Sequence, residues 1–280
     1  MPIVRILCLA DPNLIHDVNW MRFFAEQPAR FELLLLSRRV HAERYGVERL
    51  QRWGEEKNIR FVGVIDDFSV RHTLRTWLQG RWLQQLVKSE KVDIFHVFYA
   101  EPNALWLNFR LAVPSVLTTR GSDVLQTIPA FFERGGLLAS LVSRLYRRAF
   151  RRFAAITCTS ERQQQKTKEI CGEGYASPFF GDPVFLVRTG IDLALLDAPS
   201  VDLPAPAAQL TKPFILLPRN MRPVYNHEFA LQALALLPAE LRERYALVLV
   251  HSDSPERAYV QRIEAMLQAQ DMQYVFLPLL

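Results

Sequence analysis

Cysteine is scarce in this 280-residue chain: only Cys8, Cys158 and Cys171 occur, an odd number without a CxxC pair. The pattern speaks against a disulfide framework or a zinc site and for a reducing compartment. Glycine is missing before Gly46. The first strand-to-helix turn therefore carries no G-x-G-x-x-G phosphate loop, which disfavours a nicotinamide-dependent oxidoreductase. No run of 18 apolar residues exists, so no segment is expected to span a membrane. The opening MPIVRILCLADPN turns polar too soon for a signal peptide. Low-complexity tracts and short repeats are absent too. Acidic residues are in the minority, 29 against 34 Lys and Arg. The resulting +5 charge suits anionic partners: phosphates, acidic lipid or nucleic acid.

What is present is an alternation. Half of the residues are apolar and 22% are charged, an ordinary globular composition whose length favours two domains. Apolar runs VRILCLA, FELLLLS, IRFVGV, VDIFHVFYA, PSVLTTRG, AAITCTS and PVFLVRTGID read as strands. Between them, NWMRFFAEQP, Ser69 to Ser89, NALWLNFRLA, 137–152 and ERQQQKTKEI have helical spacing. This order predicts α/β architecture, a doubly wound parallel sheet covered on both faces. The Pro/Ala-rich stretch 198–213 reads as a linker. FILLP, NHEFALQALALL, YALVLVHS, PERAYVQRIEAMLQA and YVFLPLL then begin a second series. The expected organisation is a first domain at 1–197, the linker, and a partial second domain at 214–280. The second series is shorter than the roughly 100–150 residues of an open α/β domain, so truncation is expected.

Ligands of open α/β sheets bind beyond strand C-termini, which directs attention to the residues that follow each run. After the first comes DPNLIHDVNW, with His16 and Trp20 one helical turn apart. His16 either faces a cleft between the domains or serves the core. After SVL comes TTRGSDV: Gly121 permits a tight turn, Ser122 or Asp123 can cap a short helix, and Arg120 suits a phosphate or a developing anion. An ordinary turn with a surface arginine is the alternative. Gly190 in RTGID and Ser252 in VHSDSPER occupy comparable places. In PRNMRPVYNHEF, Arg219 follows a strand, Pro223 fixes the approach and Asn226 is a good N-cap. A guanidinium beside a helix N-terminus fits a diphosphate, although a capped helix with an exposed arginine would look the same. The helix SRLYRRAFRRF interleaves Arg144 to Arg152 with apolar residues and reads either as a membrane-surface element or as a solvated face.

Strung in this order, IHDVNW, DIFHVFYAEPNALW, VLTTRGSDV, RRFAAITCTSE, VRTGID, LPRNMRPVYN and LVLVHSDSPERAYVQRI resemble family 4 of the retaining glycosyltransferases. The resemblance implies the GT-B fold, two Rossmann-like domains facing a cleft. It implies hexosyl transfer from a nucleoside-diphosphate sugar to a glycan or lipid-linked acceptor. Neither metal nor cofactor is expected, because protein cations and a helix dipole neutralise the leaving diphosphate. Arg219, Tyr225 and Asn226 match the diphosphate site. Arg120 and His16 match the catalytic, acceptor side, and Asp123, Gly190 and Ser252 line the cleft. The cysteine pattern and the basic helix together lead to the expectation of a cytoplasmic protein that can touch the inner membrane face through the Arg144–Arg152 helix. Nucleic acid is not expected as a partner. The chain also departs from the family: PVYN stands where Lys-Gly is usual, Arg120 replaces a histidine, and the acidic E-x7-E segment that grips the donor sugar would lie beyond residue 280. These departures keep open a second reading, a non-catalytic GT-B-like partner module.

Overall fold

The computed structural model describes residues 2–177, 179–188, 205–251, 257–270 and 272–278. Gly190, Ser252 and residues 198–204 of the expected linker lie outside them. The chain divides into two units, residues 1–191 and 192–280.

The first unit is built on seven strands: β1 (Val4–Leu9), β2 (Phe31–Arg38), β3 (Ile59–Ile65), β4 (Ile94–Phe98), β5 (Ser115–Thr118), β6 (Ala155–Cys158) and β7 (Val184–Leu186). Their order is β3-β2-β1-β4-β5-β6-β7, with every neighbouring pair parallel. The continuous apolar runs follow from this arrangement, because a central parallel strand is buried on both faces. In β2, Leu34 and Leu36 enter one core while Leu33 and Leu35 enter the other. In β1, Leu7 and Leu9 are divided in the same way from Ile6 and Cys8. Each fully buried leucine contributes about 1.5–3 kcal/mol relative to an exposed one.

Among the described residues, seven helices cover the two faces. α1 (Ile15–Ala25), with Trp20, Met21 and Phe24, and α3 (Val47–Glu56), with Trp53, pack on the smaller core. α4 (Thr73–Ser89), α6 (Leu137–Phe150) and α7 (Glu161–Cys171) pack on the larger one. α2 (Arg39–Tyr45) and α5 (Ile128–Glu133) are short. The polar stretch between β2 and β3, not expected to be helical, forms α2 and α3, separated by Gly46 at φ +82°. NALWLNFRLA is confined to a 3-10 helix, Asn103–Asn108. The short helix expected after Gly121 begins as a π-helical turn, Asp123–Thr127, that runs on into α5.

The second unit holds three parallel strands, β8 (Phe214–Asn220), β9 (Ala246–His251) and β10 (Tyr274–Pro278), in the order β10-β9-β8. Helices His227–Ala235 and Arg257–Gln268 supply Leu231, Tyr259, Ile263 and Leu267 to a core with Leu247 and Leu249. A helical turn, Ala205–Ala208, forms within the stretch expected to be a linker.

Candidate functional site

In the first unit the strand order reverses at β1, which has β2 on one side and β4 on the other. The C-terminal crevice at such a reversal is the usual ligand site. A cavity of about 70 Å³ lies there, lined by His16 and Trp20 of α1, Thr118, Thr119 and Arg120 after β5, and Thr159 after β6. His16 is exposed. The Arg120 side chain is 11% exposed and forms an ion pair with Asp17, which is 1% exposed. The Asp17 carboxylate also accepts the Asp11 N–H at 2.8 Å. Burial lowers the Arg120 pKa to about 10, against the pull of Asp123 and Asp11, so the guanidinium is charged at neutral pH. Its charge is already balanced by Asp17.

Behind Thr118, which lines the cavity, runs a chain of polar side chains. His96 Nε2 meets Thr118 Oγ1 at 2.8 Å, and Thr118 Oγ1 meets Thr157 Oγ1 at 2.9 Å. Burial pushes His96 down to about 3, which makes it a neutral partner. Trp20 stands edge-on to its ring at 6.2 Å. The cavity thus offers hydroxyls, an imidazole, an indole and a paired cation, a set suited to an uncharged, hydroxyl-rich group.

The turn that carries Arg120 is held by Asp123. Expected on a cleft lining, Asp123 is instead fully buried. Its carboxylate accepts the N–H of Ala100 at 2.8 Å, Arg120 at 3.1 Å and Val124 at 2.9 Å, tying the loop after β4 to the turn after β5. Burial raises its pKa and these N–H groups oppose the rise. Gly121 sits at φ +101°, and a Cβ there would meet Gln163 Nε2 at 2.8 Å. Gln163 Oε1 in turn accepts the Thr159 N–H at 2.9 Å and its hydroxyl at 3.0 Å.

A second polar cluster on the same rim escaped the sequence reading. Asp67 takes both Nε and Nη2 of Arg38, at 2.6 and 2.9 Å. Asp66, 6% exposed, holds Arg39 through one oxygen and Arg75 through the other, the latter at 2.6 Å. Burial pushes Asp66 up, but the hydrogen bonds from Arg39 and Arg75 outweigh it and its carboxyl sits below its ordinary value. The signal was available: Arg38 ends β2, Arg39 follows it, and Asp-Asp follows β3, its parallel neighbour. Asp17 was missed for another reason, since nothing in IHDVNW marks a carboxylate for burial.

In the second unit Arg219 lies near the end of β8 with its side chain exposed. Its guanidinium carbon is 5.2 Å from the Tyr225 ring centre, and its carbonyl meets His227 Nε2 at 3.0 Å. Asn226, in the left-handed region at φ 49°, caps helix 227–235 by accepting the Phe229 N–H at 3.4 Å. The helix start is thereby brought beside Arg219. Two of its N–H groups have internal partners: Phe229 bonds Asn226, and His227 donates to the Tyr259 hydroxyl at 3.0 Å. An anion here would therefore draw on Arg219 and the helix dipole more than on a row of open N–H groups. Among the described residues, no three His, Cys, Asp or Glu side chains group to hold a metal ion.

The sequence profile of Glycosyltransferase Family 4 matches residues 22–195. No curated protein sequence matches the chain. Among solved structures, HepE of Anabaena in complex with UDP and glucose is similar, with 14% identity and TM-score 0.63 over 99% of this chain and 70% of that one. A glycosyltransferase from Rickettsia africae gives 13% identity and TM-score 0.64 over 99% and 69%. Sucrose-phosphate synthase from Thermosynechococcus elongatus gives 13% and 0.60 over 99% and 71%. At these identities the likeness shows the fold, the α/β GT-B architecture. The profile match takes in Arg120 and Asp123, while His16, Asp17 and Trp20 precede it and Arg219 follows it.

Proposed function

The chain belongs to glycosyltransferase family 4, and from that membership we propose that it moves a hexosyl group, with retention, from a nucleoside-diphosphate sugar to a glycan or lipid-linked acceptor. The observation that carries this reading is the exposed Arg219 guanidinium beside the capped start of helix 227–235. As the donor bond breaks, negative charge gathers on the departing diphosphate. A guanidinium fork and the positive end of a helix lower the energy of that charge without a proton transfer. The HepE structure holds UDP and glucose, which supports a uridine nucleotide as the first donor to try.

On the acceptor side, the cavity of His16, Trp20 and the threonines would receive a sugar hydroxyl. Asp17 would act as a positioning residue by fixing Arg120. Arg120 then orients neutral groups and leaves the binding of a free anion to Arg219. The reading includes a cytoplasmic protein at the inner membrane face, contacting it through the Arg144–Arg152 helix. No described helix is long and apolar enough to cross a membrane.

Isothermal titration with UDP-, GDP- and ADP-sugars tests the proposal. One of them is expected to bind, and Arg219→Ala to weaken that binding roughly 10- to 100-fold. The anomeric configuration of the product, read by NMR coupling constants, tests retention. A folded protein that binds none of the three at millimolar concentration overturns the reading.

A further inference from the structure

β8 breaks its register beside Arg219. Its pairing with β9 advances one residue at a time from Phe214 with Ala246 to Leu217 with Leu249, and then passes directly to Asn220 with Val250. Pro218 and Arg219 therefore have no opposite number on β9. A bulge of this kind bends the strand and re-aims a side chain. Pro218 suits the place, since it has no N–H to give to a ladder. The chain is anchored on both sides. Leu217 packs against the core of the second unit, and Met221 is fully buried within it. Between these anchors Pro218 and Arg219 are exposed.

A carbonyl that leaves a ladder needs another donor. For Arg219 that donor is the His227 imidazole, at 3.0 Å. A carbonyl can only accept, so Nε2 carries the proton. His227 is 3% exposed, and among the described residues its Nδ1 is buried without a hydrogen-bond partner. One ring nitrogen is thus left unsatisfied while the other is spent on Arg219. The ring is fixed in turn by Tyr259, a buried core residue. It stands edge-on to the tyrosine ring with centres 6.4 Å apart, and the His227 backbone N–H donates to the tyrosine hydroxyl at 3.0 Å. Three successive residues therefore serve one spot: Tyr225 faces the Arg219 guanidinium, Asn226 caps the helix, and His227 holds the Arg219 backbone.

We infer that His227 is a positioning residue for donor binding: its Nε2–H pins the bulge of β8 and so aims the Arg219 guanidinium without touching the ligand. His227 is also the first residue of helix 227–235. Its one hydrogen bond therefore sets the spacing between the two positive groups that a diphosphate would meet, the guanidinium and the helix end. A guanidinium on an unpinned bulge would keep its charge and lose its direction. The inference rests on the reading of Arg219 as the diphosphate cation and adds the residue that holds it in place.

Calorimetric titration of the full chain with UDP, GDP, ADP and inorganic pyrophosphate tests it through a pair of amides. Glutamine places its amide nitrogen where Nε2 stands, and asparagine places it where Nδ1 stands. His227→Gln should therefore stay within about twofold of the wild-type affinity, and His227→Asn should bind roughly fivefold more weakly. A histidine that only supports the fold would give the two amides equal affinity. With Arg219→Ala already present, His227→Asn should change the remaining affinity by less than about twofold, because its effect passes through the guanidinium. A long-range proton–nitrogen NMR spectrum of the unliganded wild type should show the Nε2–H tautomer of His227, a readout that depends on no variant. Equal affinity of the two amide variants, a loss in His227→Asn that persists without Arg219, or an Nδ1–H tautomer would each overturn the positioning role and leave the diphosphate reading standing. Wild-type binding of none of these probes, or binding that Arg219→Ala leaves unchanged, sinks the diphosphate reading and the positioning role with it.

Discussion

Arg120 and Arg219 stand in equivalent places, each just past or near the end of an apolar parallel strand, and the fold uses them in opposite ways. Arg120 is buried against Asp17 in a pocket of hydroxyls. Arg219 is exposed, with a tyrosine ring and a helix start for company. The first guanidinium has a resident anion, and the second is open to a visiting one. A strand-terminal arginine therefore does not by itself mark a phosphate site. Whether a carboxylate is buried within reach decides the matter, and that depends on tertiary packing.

The largest effect should come from separating the buried pair. Asp17→Ala leaves Arg120 charged and unpaired, which costs about 3–5 kcal/mol and should show as a large drop in the urea midpoint. Replacing both residues with apolar ones should recover much of the loss. Additive losses would mean that the two side chains are not coupled, and the contrast with Arg219 would collapse.

Acid should strike the first site next. The folded His96 imidazole titrates at about 3, against about 6.5 when unfolded. The unfolded chain binds more protons across that interval, so this contribution to stability is intact above about pH 6.5 and declines as pH falls toward 3. Urea midpoints at pH 7, 6, 5 and 4 should decline, and His96→Gln should decline less steeply. Identical slopes would remove His96 from the account.

At the second site the effects should fall on binding. Arg219→Ala removes hydrogen bonds to a charged group, worth about 1.5–3 kcal/mol, and so should weaken nucleotide-sugar affinity roughly 10- to 100-fold with an unchanged melting temperature. A loss of stability instead would make Arg219 a structural residue like Arg120. The smallest effect belongs to Asn226→Ala, where the cap is worth about 1 kcal/mol. Its left-handed backbone favours Asn226→Gly, which should lose less than the alanine variant.

Much of the fold was legible because the central strands are buried on both faces. FELLLLS and VRILCLA can only be interior parallel strands, and their alternation with helices gives the doubly wound order. α2 was not legible, since RRVHAERY is polar and gives only Ala42 to the interior, whereas Val47, Leu50 and Trp53 of α3 do recur at helical spacing and were passed over. Asn226 was readable as a cap from residue type alone. Asp123 was recognised as polar and placed on a lining, whereas three backbone N–H groups draw it inside. Local pattern tells which residue types follow a strand, but the pairing of Asp17 with Arg120 joins segments far apart in the chain.

The contact between Gly121 and Gln163 has a mechanical consequence. With less than 3 Å available where a methyl group would go, even alanine at 121 must displace the Gln163 amide. That amide is the latch on Thr159, across the cavity mouth. The two turns that frame the opening are therefore geared together, and a disturbance of either is felt by the other without any change in the residues that face a ligand.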